Sequence, residues 1–472
     1  MATTLASLAN WHKVPELRRR VLFSLGMLAV YRVGVFVTTP GVDRNAMKQF
    51  VGENGSGLVG FLNLFSGGAL GNLSIFALGI MPYISSSIIL QLLGMVYPPL
   101  AEMRKEGEAG RRKIEQYTRY GTIVLSCFQS YALATAIQGK SVALLGSDTS
   151  IVNDPGPLFI AMTMITLTTG TAFLMWVGEQ ITERGIGNGT SLIIMSGIVA
   201  RVPETIIGYV QQSAGDPRPL NMAAVAVAFL GCVAVVAFFE NGRRLIPIVY
   251  SRRQVGMRVY GAQQAQLPLK INTSGVIPPI FASSLLMFPA TLASLSVPGM
   301  QKLQSLVSRG DWVFNTGFAV LIVFFCFFYT GIVFQPVEVA ENLKKQQANI
   351  PNVRPGKQTA DYIERVVNRI TAAGAVYVAA ICTLPSMFGQ AIRMPITFGG
   401  TTIMIVVGVA LDTMGQIEGH LIKRSYDGLT GPSRSKVRGR RFGGTSDEDG
   451  DDAIAESDKA GVEAAEPTES RA

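Results

Sequence analysis

The chain has 472 residues, 48% of them hydrophobic and only 15% charged, with a mean hydropathy of +0.33 and a net charge of +9. A soluble domain carries about 25% charged residues. This chain instead repeats long apolar runs along most of its length, the pattern of a polytopic membrane protein. Its four cysteines (Cys127, Cys232, Cys326, Cys382) sit far apart inside apolar runs, and its two histidines lie outside them, which excludes a disulfide scaffold and a histidine metal site.

Ten spans are expected, at about 21–37, 73–96, 121–137, 158–177, 191–210, 222–239, 275–297, 312–334, 370–388 and 396–414. The first follows Arg18-Arg19-Arg20 with no small-residue cleavage site after it, so it is expected to be retained rather than removed as a signal peptide. Arg201, Pro203 and Glu204 interrupt the fifth span; Pro278, Pro279 and Pro289 predict a kinked or locally unwound seventh. Lys and Arg number six in each of the loops after spans 2, 6 and 8, against eight on the whole opposite side. That bias places both termini in the cytoplasm. Two sets of five spans enter from opposite sides, the arithmetic of an inverted repeat, and the irregular spans 2 and 7 then occupy equivalent positions.

The stretch 61–93 carries the most information. Asn63, Ser66, Gly67, Gly68, Gly71 and Asn72 interrupt its first part; from Leu73 it reads as a span, with Ile80, Ile84 and Ile88 on one helical face and Ser85, Ser86, Ser87 and Gln91 nearby. Non-helical backbone at membrane depth is tolerated only where protein buries it or water reaches it. Pattern alone leaves two readings open: a stretch lining a cavity, or a surface amphipathic helix before an ordinary span.

The cytoplasmic loops have structure of their own. Ile246–Tyr250 and Val255–Tyr260, with Arg252-Arg253 between them, read as a short ribbon with a basic tip. Pro351, Pro355 and Gly356 make a turn presenting Arg354, with a short helix after it. From Ser433 the chain turns polar and then acidic, and is expected to be disordered.

Motor and redox motifs are incomplete. Gly139-Lys140-Ser141 resembles the end of a phosphate loop, but Ala134 stands where the first glycine is required. The run Gly185–Gly189 lacks a third glycine at the dinucleotide spacing and reads as a flexible turn entering span 5. Arg32, Arg201, Glu204 and Asp412 lie toward span ends, which weakens an ion-coupled reading. What remains is a passive conduit driven from the cytoplasm.

Five long motifs resemble the SecY family, the channel subunits of bacterial protein-secretion translocases. They are Asn63–Leu93, Glu183–Ile194, Leu267–Ser284, Ile350–Ile363 and Phe398–Thr413, in the same order as in that family. The resemblance covers about 15–427. It implies an all-α membrane fold of ten transmembrane helices in two inverted five-helix halves, hinged between spans 5 and 6, with a lateral gate between spans 2 and 7. The organisation it implies is a cytoplasmic segment 1–20, an N-terminal half 21–210, a hinge loop 211–219, a C-terminal half 220–427 with basic loops at 241–273 and 336–369, and a disordered tail 428–472.

By matching motif, the pore ring comprises Ile80, Ile84, Ile194, Ile280 and Ile405. The plug runs from about Leu62 to Asn72 and includes Asn63, Phe65, Ser66, Gly67 and Gly68. Ser85, Gln129 and Asn272 match a polar cluster at the lateral gate, and Arg252, Arg253 and Arg354 match loop tips that engage a motor or ribosome. The acidic tail beyond about Ser446 and the outer loop Lys140–Pro157 match nothing in the family pattern.

The resemblance implies a channel that passes unfolded secretory chains outward and releases apolar segments sideways into lipid. No cofactor and no catalysis of its own are implied. Expected partners are SecE-like and SecG-like small subunits, the SecA motor ATPase, and the ribosome with its RNA. Signal peptides and the lipid bilayer complete the list. A bacterial plasma membrane is the expected location, since no transit-like leader is evident. The alternative is an ion-coupled secondary transporter of small solutes, for which Asp412 is the one candidate titrating residue; a membrane scaffold is a third class.

Overall fold

The computed structural model describes residues 14–47, 63, 65–143, 152, 154–213, 219–250, 253–255, 258–260, 264–294, 312–392 and 399–430. Met1–Ile422 form one compact unit, described below; of a second unit, Lys423–Ala472, only the helical residues up to Thr430 are described.

The helices in chain order are α1 (Pro15–Gly34), α2 (Met81–Val96), α3 (Pro98–Lys105), α4 (Glu108–Ala143), α5 (Pro157–Arg184), α6 (Gly189–Val199), α7 (Val202–Ser213) and α8 (Pro219–Asn241). After four strands come α9 (Ile277–Ser294), α10 (Trp312–Val333), α11 (Pro336–Lys345), α12 (Lys357–Ile392) and α13 (Gly400–Thr430). Helix thus lies on every expected span. Among the described residues six helices are individually long and apolar enough to cross a membrane, and a seventh candidate is the α2–α3 pair, bent by 105°. Pro98 and Pro99 stand at that bend, where a missing N–H and a ring clash end the first helix. Proline also sits in the first turn of α1, α2, α5 and α11, where its lost donor has no intrahelical partner to forfeit.

Large apolar side chains face outward along these helices: Leu22, Leu25 and Val33 on α1, Ile123 and Val124 on α4, Val320 and Phe324 on α10. Such belts suit hydrocarbon rather than water. Inside, Thr118, Thr122 and Ser130 on α4 donate to carbonyls one turn back in their own helix, so their hydroxyls are satisfied without solvent. The helices α2, α4, α5, α6 and α1 pack together, α10 packs on α9 and α12, and α9 touches both α2 and α4.

Three expectations are corrected. Span 2 does not begin at Leu73: residues 66–80 form a chain of turns and helix starts at Met81. Leu73 at φ +37 and Gly79 at φ +60 are incompatible with a right-handed helix. Backbone pairing elsewhere substitutes for the helix: Ile75 N donates to Val37 O at 3.0 Å and Thr39 N to Leu73 O at 2.9 Å.

The cytoplasmic ribbon pairs differently from its sequence neighbours. Strand β1 (Arg243–Tyr250) runs antiparallel to β4 (Gln264–Lys270) and to β5 (Ala348–Asn349), while β2 (Arg253–Val255) and β3 (Arg258–Tyr260) form a separate small hairpin. Ile246 and Ile248 of β1 then bury against Leu343, Ile350, Ile363 and Val367, so the two long loops share one core. The helix after Gly356 is also not short: α12 runs 36 residues from Lys357 into span 9.

The weak fifth span is two helices, α6 and α7, broken at Ala200-Arg201. In the seventh, Pro278 and Pro279 occupy the first turn of α9, after an irregular stretch with Gly275 at φ +62. Gly139-Lys140-Ser141 lies within α4, so its backbone is helical rather than a phosphate-cradling loop.

Candidate functional site

Isoleucine is stiff and branched, and it packs without offering a polar partner. Ile80, Ile84, Ile194, Ile280 and Ile405 come from the entry and body of α2 and from α6, α9 and α13. All five are 9% exposed or less, and all five belong to one continuous apolar cluster. Ile88, one turn beyond Ile84, joins it. Residues more than 300 positions apart in sequence are therefore brought into one buried apolar cluster.

The same cluster contains Phe65 and Ala69 of the irregular segment. Asn63 and Phe65 are helical, and the turns that follow are tied down by polar contacts. Ser66 Oγ donates to Asn63 O at 3.2 Å, Gly68 N to the same carbonyl at 2.8 Å, and Gly71 N to Asn63 Oδ1 at 2.8 Å. Gly67 at φ +66 and Gly68 at φ +90 hold conformations open to glycine and strained for other residues. Leu62 lies outside the described residues.

Among the described residues, four side chains from elsewhere hydrogen-bond to residues 63–72. Tyr31 Oη donates to Ser66 O at 3.1 Å, Arg32 Nη1 to Gly67 O at 2.9 Å, Arg201 Nη1 to Asn63 O at 3.3 Å, and Arg44 Nε to Asn72 Oδ1 at 3.2 Å. Sequence reasoning missed these contacts. Arg32 within span 1 and Arg201 at the break in span 5 were the available signals, since a cation in an apolar segment needs a partner.

The residues matched to the lateral gate are placed less tightly. Ser85 on α2 and Gln129 on α4 are half-buried; Asn272 precedes α9 and is buried. No hydrogen bond among the described residues joins the three. Asn272 Nδ2 instead donates to Glu240 Oε1 and to Gly275 O, and Asn272 Oδ1 accepts from Ser274 Oγ at 3.0 Å. The bond across the α2–α4 contact comes from the neighbouring serine, whose Oγ donates to Thr118 O at 2.9 Å (Ser86).

Of the basic tips, Arg354 is exposed on the turn between β5 and α12, a turn set by Asn352 at φ +62 and Gly356 at φ +100. Thr359 Oγ1 donates to its carbonyl at 2.9 Å. Arg253 opens β2 opposite Tyr260. Arg252 lies outside the described residues.

Two bonds pin the turn before α6, which is therefore not the free turn expected. Ile186 N donates to Ser24 Oγ at 3.1 Å and Gly187 N to Gln416 Oε1 at 2.9 Å. Asp412 is exposed and paired with Lys270 at 3.1 Å, so it offers no buried titrating site.

Comparison with known proteins gives one answer at each level. A family model described as SecY matches residues 74–414. The protein translocase subunit SecY of Escherichia coli (strain K12) is 46% identical over 431 residues, covering 90% of this chain and 96% of the relative. Its namesakes in Vibrio cholerae and Rickettsia conorii are 45% and 44% identical, over 90% and 88% of this chain and 96% of each relative. A solved structure described as that of a protein-conducting channel superposes with a TM-score of 0.61 at 17% identity, covering 90% of this chain and 99% of the other. Sec61 in the canine ribosome-channel complex from the endoplasmic reticulum gives a TM-score of 0.56 at 16% identity, with the same coverage. At these identities the structural likenesses speak for the fold alone.

Proposed function

The chain belongs to the SecY family, and from that premise we infer how its parts serve a protein-conducting channel. The chain is an integral membrane protein and the channel subunit of a protein translocase, and it is not itself an enzyme. One observation carries the finer reading: the five isoleucines from four elements close in one apolar cluster, with the irregular segment packed against them.

A ring of branched apolar side chains holds a passage shut by dewetting and yields around an extended chain without binding it strongly. The segment from about Leu62 to Asn72 acts as the plug on that ring. The contact of α9 with α2 and α4 is the seam that parts to release apolar segments into lipid. Ser85, Gln129 and Asn272 tune this parting, at about 0.6 kcal/mol for each interhelical polar contact. The halves 21–210 and 220–427 move as the two shells, hinged near 211–219.

The loop core built from β1, β4, β5, α11 and α12 is the mount for Arg354, and the basic tips at Arg252 and Arg253 follow β1 in sequence. Their chemistry suits acidic protein surfaces and RNA phosphates. Energy comes from a SecA-type ATPase or a translating ribosome, and SecE-like and SecG-like subunits complete the complex. The location is a bacterial plasma membrane, with both termini cytoplasmic.

The test is reconstitution of the complex in vesicles with the motor ATPase, ATP and an unfolded secretory protein. Protease-protected substrate that requires this chain is the expected result. Protection that does not depend on it would remove the channel role.

A further inference from the structure

Arg32 and Arg201 are cations in segments otherwise built for hydrocarbon, and neither forms an ion pair among the described residues. Removing a guanidinium from water is costly unless acceptors replace the water. The acceptors here are peptide carbonyls of one short segment. Arg32 reaches the carbonyl of Gly67, and Arg201 that of Asn63. The Tyr31 hydroxyl, buried beside them, reaches the carbonyl of Ser66. Three donors from α1 and the α6–α7 break thus grip carbonyls within five consecutive positions of the chain.

The turns of the segment make this possible. A helix would direct its carbonyls to its own amides; positive φ at Gly67 and Gly68 breaks that ladder and frees acceptors for side chains. The Asn63 carbonyl, which also takes Gly68 N and Ser66 Oγ, is the hub of the turn, so Arg201 holds the point through which the segment keeps its shape.

We propose that Tyr31, Arg32 and Arg201 form a latch that positions the plug by its backbone and drives its return after a chain has passed. The proposal rests on the reading of this segment as the plug. When the segment leaves, both guanidiniums lose their carbonyl acceptors, and the cost of that loss is a restoring force toward the seated state. Because the latch reads carbonyls, what it requires of the plug is the glycine turn at Gly67 and Gly68 that presents them.

The experiment is single-channel recording of the complete translocase in planar bilayers without substrate. Tyr31→Phe, Arg32→Gln and Arg201→Gln are each measured with the plug intact and with residues 62–72 deleted. Tyr31→Phe removes one hydroxyl and keeps the ring that stacks on Phe76, so it separates the latch from folding. Spontaneous opening is expected to rise about threefold for Tyr31→Phe and about tenfold for each arginine variant, as suits the loss of a neutral or a charged hydrogen bond. Arg201→Lys, which keeps a cationic donor, is expected to restore part of the closure. In the plug-deleted background none of the variants should add to the leak.

Unchanged opening in all three variants, with plug deletion leaking, overturns the latch and leaves the plug reading standing. A silent plug deletion overturns both. Equal increases with and without the plug would place the effect in helix packing and also overturn the latch.

Discussion

Gly67 and Gly197 meet so closely that a Cβ built on Gly67 would stand 2.7 Å from the Cα of Gly197, and one built on Gly197 would stand 3.1 Å from the Cα of Gly67. The segment proposed as the plug thus meets α6 by a backbone-to-backbone approach that only small residues permit. Gly197→Val puts three carbons into that gap and cannot be absorbed by a rotamer change. Overpacking of this kind costs about 1–3 kcal/mol. It falls on the contact with Gly67 and on the Tyr31 hydroxyl, which stands 3.1 Å from the same Cβ, so ion leak through the resting channel should rise about tenfold or more. Recording of resting conductance checks this; a tight Gly197→Val channel would show that the plug does not seat on α6.

The isoleucine cluster makes a second prediction. Ile405 is 1% exposed, within the cluster that unites α2, α6, α9 and α13. Ile405→Asn places an amide where nothing accepts its bonds, at a cost of about 1–3 kcal/mol, and invites water into the constriction. The resting membrane should leak small ions, as it should on deletion of Leu62–Asn72. Unchanged conductance in both variants would count against the ring and the plug together.

A third prediction concerns assembly rather than gating. A Cβ on Gly170 of α5 would fall 1.8 Å from the carbonyl oxygen of Ile75, in the turn chain that replaces the start of span 2. The obstacle is backbone, so no side-chain adjustment relieves it. Gly170→Ala should lower stability by about 3 kcal/mol, read as a clear drop in the thermal midpoint of the solubilised protein. A midpoint equal to wild type would mean that the turn chain moves freely against α5.

How far the residues announced this arrangement varies along the chain. The ten apolar runs are legible because lipid demands about 20 apolar residues per span, and helix lies on each of them. Five isoleucines could be drawn together from family motifs, and one buried cluster does unite them. Residues 73–80 were not legible as turns: they are apolar because protein surrounds them, and hydropathy cannot separate that from lipid exposure. Gly79, at φ +60, was the missed signal. The ribbon misled because β1 pairs with a strand that contains Pro268 and with β5, about 100 residues later. The contacts of Arg32 and Arg201 were hidden because their acceptors are carbonyls, which no sequence pattern marks.

Arg354 gives a fourth prediction. It stands exposed at a turn stiffened by two positive-φ residues and backed by the loop core. Arg354→Glu reverses a charge that touches no core residue, so surface stability should change by no more than about 0.5 kcal/mol. Motor-driven transport should nevertheless fall severalfold, while insertion and thermal midpoint stay at wild-type values. Normal transport by this variant would take Arg354 off the docking surface.

The central claim is that polypeptide passes through the isoleucine constriction, and crosslinking at Ile280 tests it most directly. Ile280→Cys would be made with Cys127, Cys232, Cys326 and Cys382 replaced by alanine, none of the four being in a disulfide. The translocase would then be offered a stalled secretory chain carrying one cysteine of its own. The account predicts a crosslink that forms only when the motor ATPase and ATP are present. An Ile280→Cys protein that still exports substrate but never crosslinks to it would place the path elsewhere and contradict the account.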